Sequence, residues 1–212
     1  MGFVTSQTTD SPETFRGLKP QEWHEVLAAP AEIAAAIGTL LPDSDGEPFT
    51  LDQLEAIAQS VADRADIWEP LVVVDHERRR YRLAFEDDRT DIWVLSWMPG
   101  QGTGFHDHDV SGVGLAMAQG MVIERQMQLP KGATRLELSP GDTRRGGPGY
   151  IHSVAWGEGS PAVSIHCYSP PLLRVGQYRV DENGVMTRHI EHGRQELMDY
   201  TIAGADPSRA DG

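Results

Sequence analysis

From residue 71 to residue 181 the chain is a succession of short β-rich runs broken by turn formers. LVVVDHERRRYRLAFE, DIWVLSWMP, GVGLAMAQGMVIERQMQL, TRLEL, HSVAW, AVSIHCYS and LLRVGQYRVD are separated by Gly, Pro, Asp and Asn. Runs this short cannot bury their apolar faces singly, so they predict an antiparallel sandwich or barrel. The DENG at 181–184 is a turn signal at the end of the last run.

The part before residue 69 has a different rhythm. Residues 1–18 are polar and aperiodic and are expected to be disordered. Over 19–68 apolar residues recur at three and four positions, which predicts helices. One stretch, PQEWHEVLAAPAEIAAAIGTLL, is interrupted near Pro30; a second, TLDQLEAIAQSVADRADIW, has Thr50 or Asp52 available as its N-cap. The division is therefore a helical region at 19–68, a β-barrel at 69–182 and an extension at 183–212 whose last residues are again small and polar. The fold class is mainly β, with N-terminal helices packed against the barrel.

Composition narrows the partners. A formal net charge of −14 over 212 residues repels nucleic acid and anionic lipid, so neither is expected as a partner. No apolar window is long enough to span a bilayer, and the single cysteine, Cys167, excludes an intramolecular disulfide. The reading is a cytoplasmic monomer or small homo-oligomer.

The stretch GQGTGFHDHDVSGVGLAMAQG places His106 and His108 one residue apart. Positions i and i+2 of a strand share a face, so both imidazoles can project inward while Asp107 points away. Neutral imidazole is a good ligand for first-row divalent ions. Ser164, His166 and Tyr168 also alternate, so they share one face of their strand. There the serine can fix the histidine's tautomer and the histidine can position the phenol.

These residues resemble a known pattern. Gly100-x5-His106-x-His108-x4-Val113-x6-Gly120 is similar to the first cupin motif, with Val113 where the motif usually has a glutamate ligand. Gly141-x5-Gly147-x-Gly149-x2-His152-x3-Trp156 is similar to the second, with Gly147 and Trp156 replacing its usual proline and asparagine. The run SIHCYSPP resembles the Ser-x-His-x-Tyr-Ser-Pro-Pro of the cysteine dioxygenase type I family of cupin thiol dioxygenases. The resemblance implies a cupin barrel and one Fe(II) per chain bound by His106, His108 and His152. It implies Ser164, His166 and Tyr168 as catalytic residues, and a small thiol and O2 as reactants.

The implied reaction inserts both oxygen atoms into the thiol to give a sulfinate, with L-cysteine as the first choice of substrate. Three neutral imidazoles leave the charge of a divalent ion uncompensated, which favours an anionic thiolate. The family's early-strand arginine, usually within Tyr-x-Arg, is replaced by RRRYRLAF; Arg82 is chosen for the substrate carboxylate, with Arg80 on the same face as the second choice. This departure leaves 3-mercaptopropionate or a bulkier thiol open. Some relatives link the tyrosine to a cysteine that would stand at Val113, so that crosslink is excluded here, and Cys167 reads as packing. Trp93, Trp97 and Trp156 could line a larger pocket. A nickel or zinc enzyme, or a non-catalytic regulatory cupin, are the other readings. His24, His76, His189 and His192 read as surface residues.

Overall fold

The computed structural model describes residues 4–5, 28–43, 46–128, 131–181 and 185–192. The expectations for most of 1–18, for residues 20–27 with His24, and for most of the extension beyond His192 lie outside the described residues. So do three of the four residues of the DENG turn.

Three helices cover one side of the sheet: α1 (Ala31–Gly38), α2 (Leu51–Ala62) and α3 (Ala65–Trp68), the last followed by a 3-10 turn at Glu69–Leu71. Pro30 stands at the N-cap of α1, where its fixed φ is compatible with the helix and its missing N–H is not needed. Thr50 caps α2 in a reciprocal capping box with Gln53: Thr50 Oγ1 accepts the Gln53 N–H, and Gln53 Oε1 accepts the Thr50 N–H. The apolar stripe Leu54, Ile57, Ala58 and Val61 of α2 is buried.

The strands are β1 (Val4–Thr5), β2 (Arg80–Glu86), β3 (Asp91–Trp97), β4 (His106–Asp107), β5 (Gly112–Gln128), β6 (Gly132–Leu138), β7 (Thr143–Gly146), β8 (His152–Ser169), β9 (Arg174–Val180) and β10 (Met186–His192). One path runs β1-β10-β9-β4-β8-β3-β2, while β5 pairs with β6, β7 and β8. The fold is mainly β, a cupin barrel with the N-terminal helices packed on it. Among the described residues no helix is long and apolar enough to cross a membrane.

Four elements differ from the sequence expectation. HSVAW and AVSIHCYS form one continuous strand, β8, because the ladder with β5 resumes on both sides of GEGSP across shifts of register. The apolar run after Pro70 starts as a 3-10 turn and irregular chain, and β2 begins only at Arg80. Residues 143–146, polar and unread as a strand, pair with β5 as β7. The segment 186–192, placed in the extension, pairs along its length with β9 as β10.

The sheet separates two cores. Ile92 and Val94 of β3, Ile165 and Cys167 of β8, and Ala116 of β5 face α1 and α2. The alternate residues Trp93, Leu95, Trp97, Leu115, Met117 and Tyr168 fill the barrel. Both faces of β3 are therefore covered, which explains its uninterrupted burial. Gly114 makes the helix layer possible: a Cβ there would overlap the backbone of Leu54 and Glu55 in α2.

Candidate metal centre and its surroundings

Short β4 brings the HxH pair to the barrel. His106 lies directly opposite His152 in the ladder between β4 and β8. His106, His108 and His152 are each 0–2% exposed, and their ring nitrogens gather within 4.8 Å of one another. The ring centroids are 5.1 Å apart for His106–His108, 4.6 Å for His106–His152 and 5.1 Å for His108–His152.

Two of the rings are held in a defined tautomer by acceptors behind them. His106 Nδ1–H donates to the Gly104 carbonyl over 2.9 Å, and His152 Nδ1–H donates to Glu124 Oε1 over 2.8 Å. Each bond leaves Nε2 as the lone-pair nitrogen. His152 Nε2 is buried and has no hydrogen-bond partner among the described residues. Burial, together with the neighbouring His106 and His108, pushes the His152 pKa down to about 4 against the opposing pull of Glu124. A buried, neutral, unpartnered nitrogen facing two further imidazoles fits a divalent cation of the imidazole-binding kind.

Glu124, absent from the sequence reading, is the centre of this support. Its fully buried carboxylate accepts from His152, from Tyr150 Oη–H over 2.9 Å and from Arg144 Nε–H over 2.9 Å. Burial works against its charge, but the His152 and Tyr150 hydrogen bonds and the Arg144 charge outweigh it and hold its pKa below the ordinary glutamate value. The available signal was a glutamate two residues from Val122 in an apolar run. That parity could not be carried from Val113, because register shifts between Met117 and Val122 exchange the two faces of β5.

The Ser164, His166, Tyr168 stripe faces the barrel, as its alternation requires. Ser164 Oγ is 3.0 Å from His166 Nε2, and His166 Nδ1 is 3.2 Å from Tyr168 Oη. Trp97 Nε1–H donates to Ser164 Oγ over 2.8 Å. The Tyr168 ring lies 5.0 Å from that of His108, so the stripe abuts the imidazole cluster. Val113 stands opposite Tyr168 in the β5–β8 ladder, whereas Cys167 points into the helix-facing core, where burial pushes its thiol pKa well up.

The two arginine candidates share one face of β2. Arg82 pairs with Val94, and Val94 faces the helices, so Arg82 lies on the outward face of β2. Arg80 shares that face and is ion-paired with Asp75 at 2.6 Å. The inward face belongs to Tyr81 and Leu83, which pack with Trp93. Arg79, two residues before Tyr81, is 5% exposed with its guanidinium 5.0 Å from the Trp97 ring centroid. Which parity faces inward is set by the partner strand, so spacing within β2 alone could not choose.

The remaining candidates lie elsewhere. Trp93 and Trp97 are buried in the barrel, and Trp156 packs at its margin with its indole N–H on the Gly159 carbonyl at 2.6 Å. His76 is exposed and His189 half-buried on β10, both apart from the cluster. The side chain of His192 is outside the description.

Fold and site together define a cupin whose inward-facing histidines, without a first-motif carboxylate, form a three-imidazole centre backed by a Ser-His-Tyr stripe. Residues 25–181 match the family model for cysteine dioxygenase type I, and the chain belongs to that family. It is 27% identical to the cysteine dioxygenase type 1 of Bos taurus over 158 residues, 70% of this chain and 78% of that protein. The human cysteine dioxygenase type 1 is likewise 27% identical, over 71% of this chain and 80% of its own. Among solved structures, an RmlC-like cupin protein from Desulfovibrio desulfuricans superposes with a TM-score of 0.40 at 17% identity, covering 47% of this chain and 90% of that one.

Proposed function

We propose that the protein is a non-haem iron thiol dioxygenase that converts a small carboxylate-bearing thiol, L-cysteine first, and O2 into the sulfinate. His106, His108 and His152 would hold one Fe(II) per chain. The observation that carries the reading is the contact between the three-imidazole cluster and a directed hydrogen-bond relay ending at Tyr168. A bound iron would supply the point at which a thiolate and dioxygen meet.

The chain's own residues would do the rest. Indole can only donate, so Ser164 Oγ accepts from Trp97. The only other side-chain partner of Ser164 among the described residues is His166 Nε2, which receives the serine hydrogen. His166 Nδ1–H then donates to Tyr168 Oη, which holds the phenol at the end of the relay. With its ring against that of His108, Tyr168 is placed to act on substrate or oxygen at the three-histidine centre.

Arg79 takes the role first assigned to Arg82. Its guanidinium is held against Trp97, whose indole N–H meets Ser164, so a carboxylate bound there lies beside the relay. A planar fork suits a carboxylate bidentately. The buried walls Trp93, Leu95 and Leu115 exclude water from the reacting thiol. A purely regulatory cupin has no use for a relay polarised from Trp97 to Tyr168.

The test is oxygen uptake by protein loaded anaerobically with Fe(II), with product mass, across L-cysteine, 3-mercaptopropionate, cysteamine and larger thiols. A gain of two oxygen atoms on a carboxylate-bearing thiol supports the reading and names the substrate. Metal-loaded protein that consumes no oxygen with any thiol sinks it.

A further inference from the structure

We propose that Arg188, on β10 outside the barrel, is a positioning residue for the metal centre that holds the chain on both sides of His108. The inference rests on the reading of the three histidines as ligands. Arg188 Nε–H donates to Asp107 Oδ2 over 2.7 Å, and Nη2 donates to Asp107 Oδ1 over 2.7 Å and to Asp109 Oδ1 over 3.2 Å. Asp107 and Asp109 are the residues immediately before and after His108.

The clamp is a built one. The Asp107 carboxylate, 3% exposed, also accepts Tyr178 Oη–H over 2.6 Å and the Asp109 N–H over 2.9 Å. Asp109 adopts a φ of 54°, which only a few non-glycine residues favour, and Arg174 Nη2 lies 2.7 Å from its other oxygen. The turn that aims His108 is thus an uncommon backbone conformation fixed from outside by two arginines.

The reach of Arg188 depends on one missing side chain. Its path from β10 to β4 crosses β9 at Gly176, the ladder partner of both Asp107 and Ile190. A Cβ at Gly176 would overlap the Arg188 guanidinium, although the Gly176 backbone is not in the left-handed region and would itself admit alanine. Arg188 lies beyond the residues 25–181 matched by the family model. Part of the support for the HxH pair therefore comes from a strand outside the matched region.

The test titrates metal-free protein with Co(II), following its visible absorption, for wild type, Arg188→Gln, Arg188→Lys, Gly176→Ala and the double variant Arg188→Gln/Gly176→Ala. Arg188→Gln and Gly176→Ala should each weaken Co(II) binding by about 10-fold or more, the usual effect of removing outer support, and shift the Co(II) spectrum. The double variant should be no weaker than Arg188→Gln, since the guanidinium that the added methyl would displace is already gone. Arg188→Lys, which keeps charge without the fork, should recover part of the loss.

Thermal unfolding of the metal-free variants separates positioning from stability. Variants that melt earlier but bind Co(II) with wild-type affinity and spectrum overturn the proposal, as do losses that add in the double variant. Wild-type protein that takes up no Co(II) overturns the ligand reading beneath it.

Discussion

The indole nitrogen of Trp97 donates to Ser164 Oγ across the β3–β8 ladder at 2.8 Å, and this one bond gives the buried relay its direction. Trp97→Phe should keep the ring packing and the metal while removing the only obligate donor. Turnover should fall by about 10-fold, equivalent to a hydrogen bond of roughly 1.4 kcal/mol, with little change in KM. Tyr168→Phe should likewise retain iron and lose turnover. Unchanged kcat in both variants would remove the relay from the mechanism.

Arg79→Ala should raise KM for a carboxylate-bearing thiol by about 30-fold, corresponding to about 2 kcal/mol for a buried charged partner. It should leave the KM for cysteamine, which has no carboxylate, nearly untouched. Arg82→Ala should change neither, because Arg82 is on the helix-facing side of β2. Steady-state kinetics on the two thiols decide between the arginines, and an effect confined to Arg82→Ala would reverse the assignment.

Glu124→Gln preserves shape but offers an amide to a ring nitrogen, Arg144 and Tyr150 that all donate to the carboxylate. Bound iron, measured by metal analysis at limiting Fe(II), should fall with a 10- to 100-fold loss of affinity on the order seen for such outer partners. His152→Ala should lose the metal altogether. Stoichiometric iron in His152→Ala would count against its role as a ligand.

Acid should destabilise the metal-free protein through His152. Its folded pKa is near 4 and its ordinary value 6.5, so between these limits the unfolded chain binds more protons than the folded one. Stability is therefore fully present above pH 6.5 and declines as pH falls toward 4, by about 3 kcal/mol across the window. Urea unfolding at several pH values checks the slope. His152→Asn should flatten it, and an equally steep slope in that variant would locate the effect elsewhere.

Gly114→Ala tests the helix layer. The new methyl would press on the Leu54 carbonyl, which is backbone and cannot turn aside. A loss of about 1–3 kcal/mol is expected for such overpacking, read as a lower Tm. An unchanged Tm would mean that α2 can lift from β5 at no cost.

The sequence by itself determined the features that arise within a few consecutive residues. The pairing of His106 with His108, the common face of Ser164, His166 and Tyr168, and the Thr50 cap all follow from the two-residue strand period or from capping geometry. The motif spacing also anticipated His152 as the third member of the cluster. Tertiary structure alone decided that Arg79 and not Arg82 accompanies the inward face, that Glu124 stands behind His152, and that Arg188 reaches Asp107 over Gly176. Each of these depends on ladder register between segments distant in the chain, and β5 exchanges its faces midway. A one-residue slip sends a side chain to the opposite face, so local periodicity fixes which residues stand together but not which side they occupy.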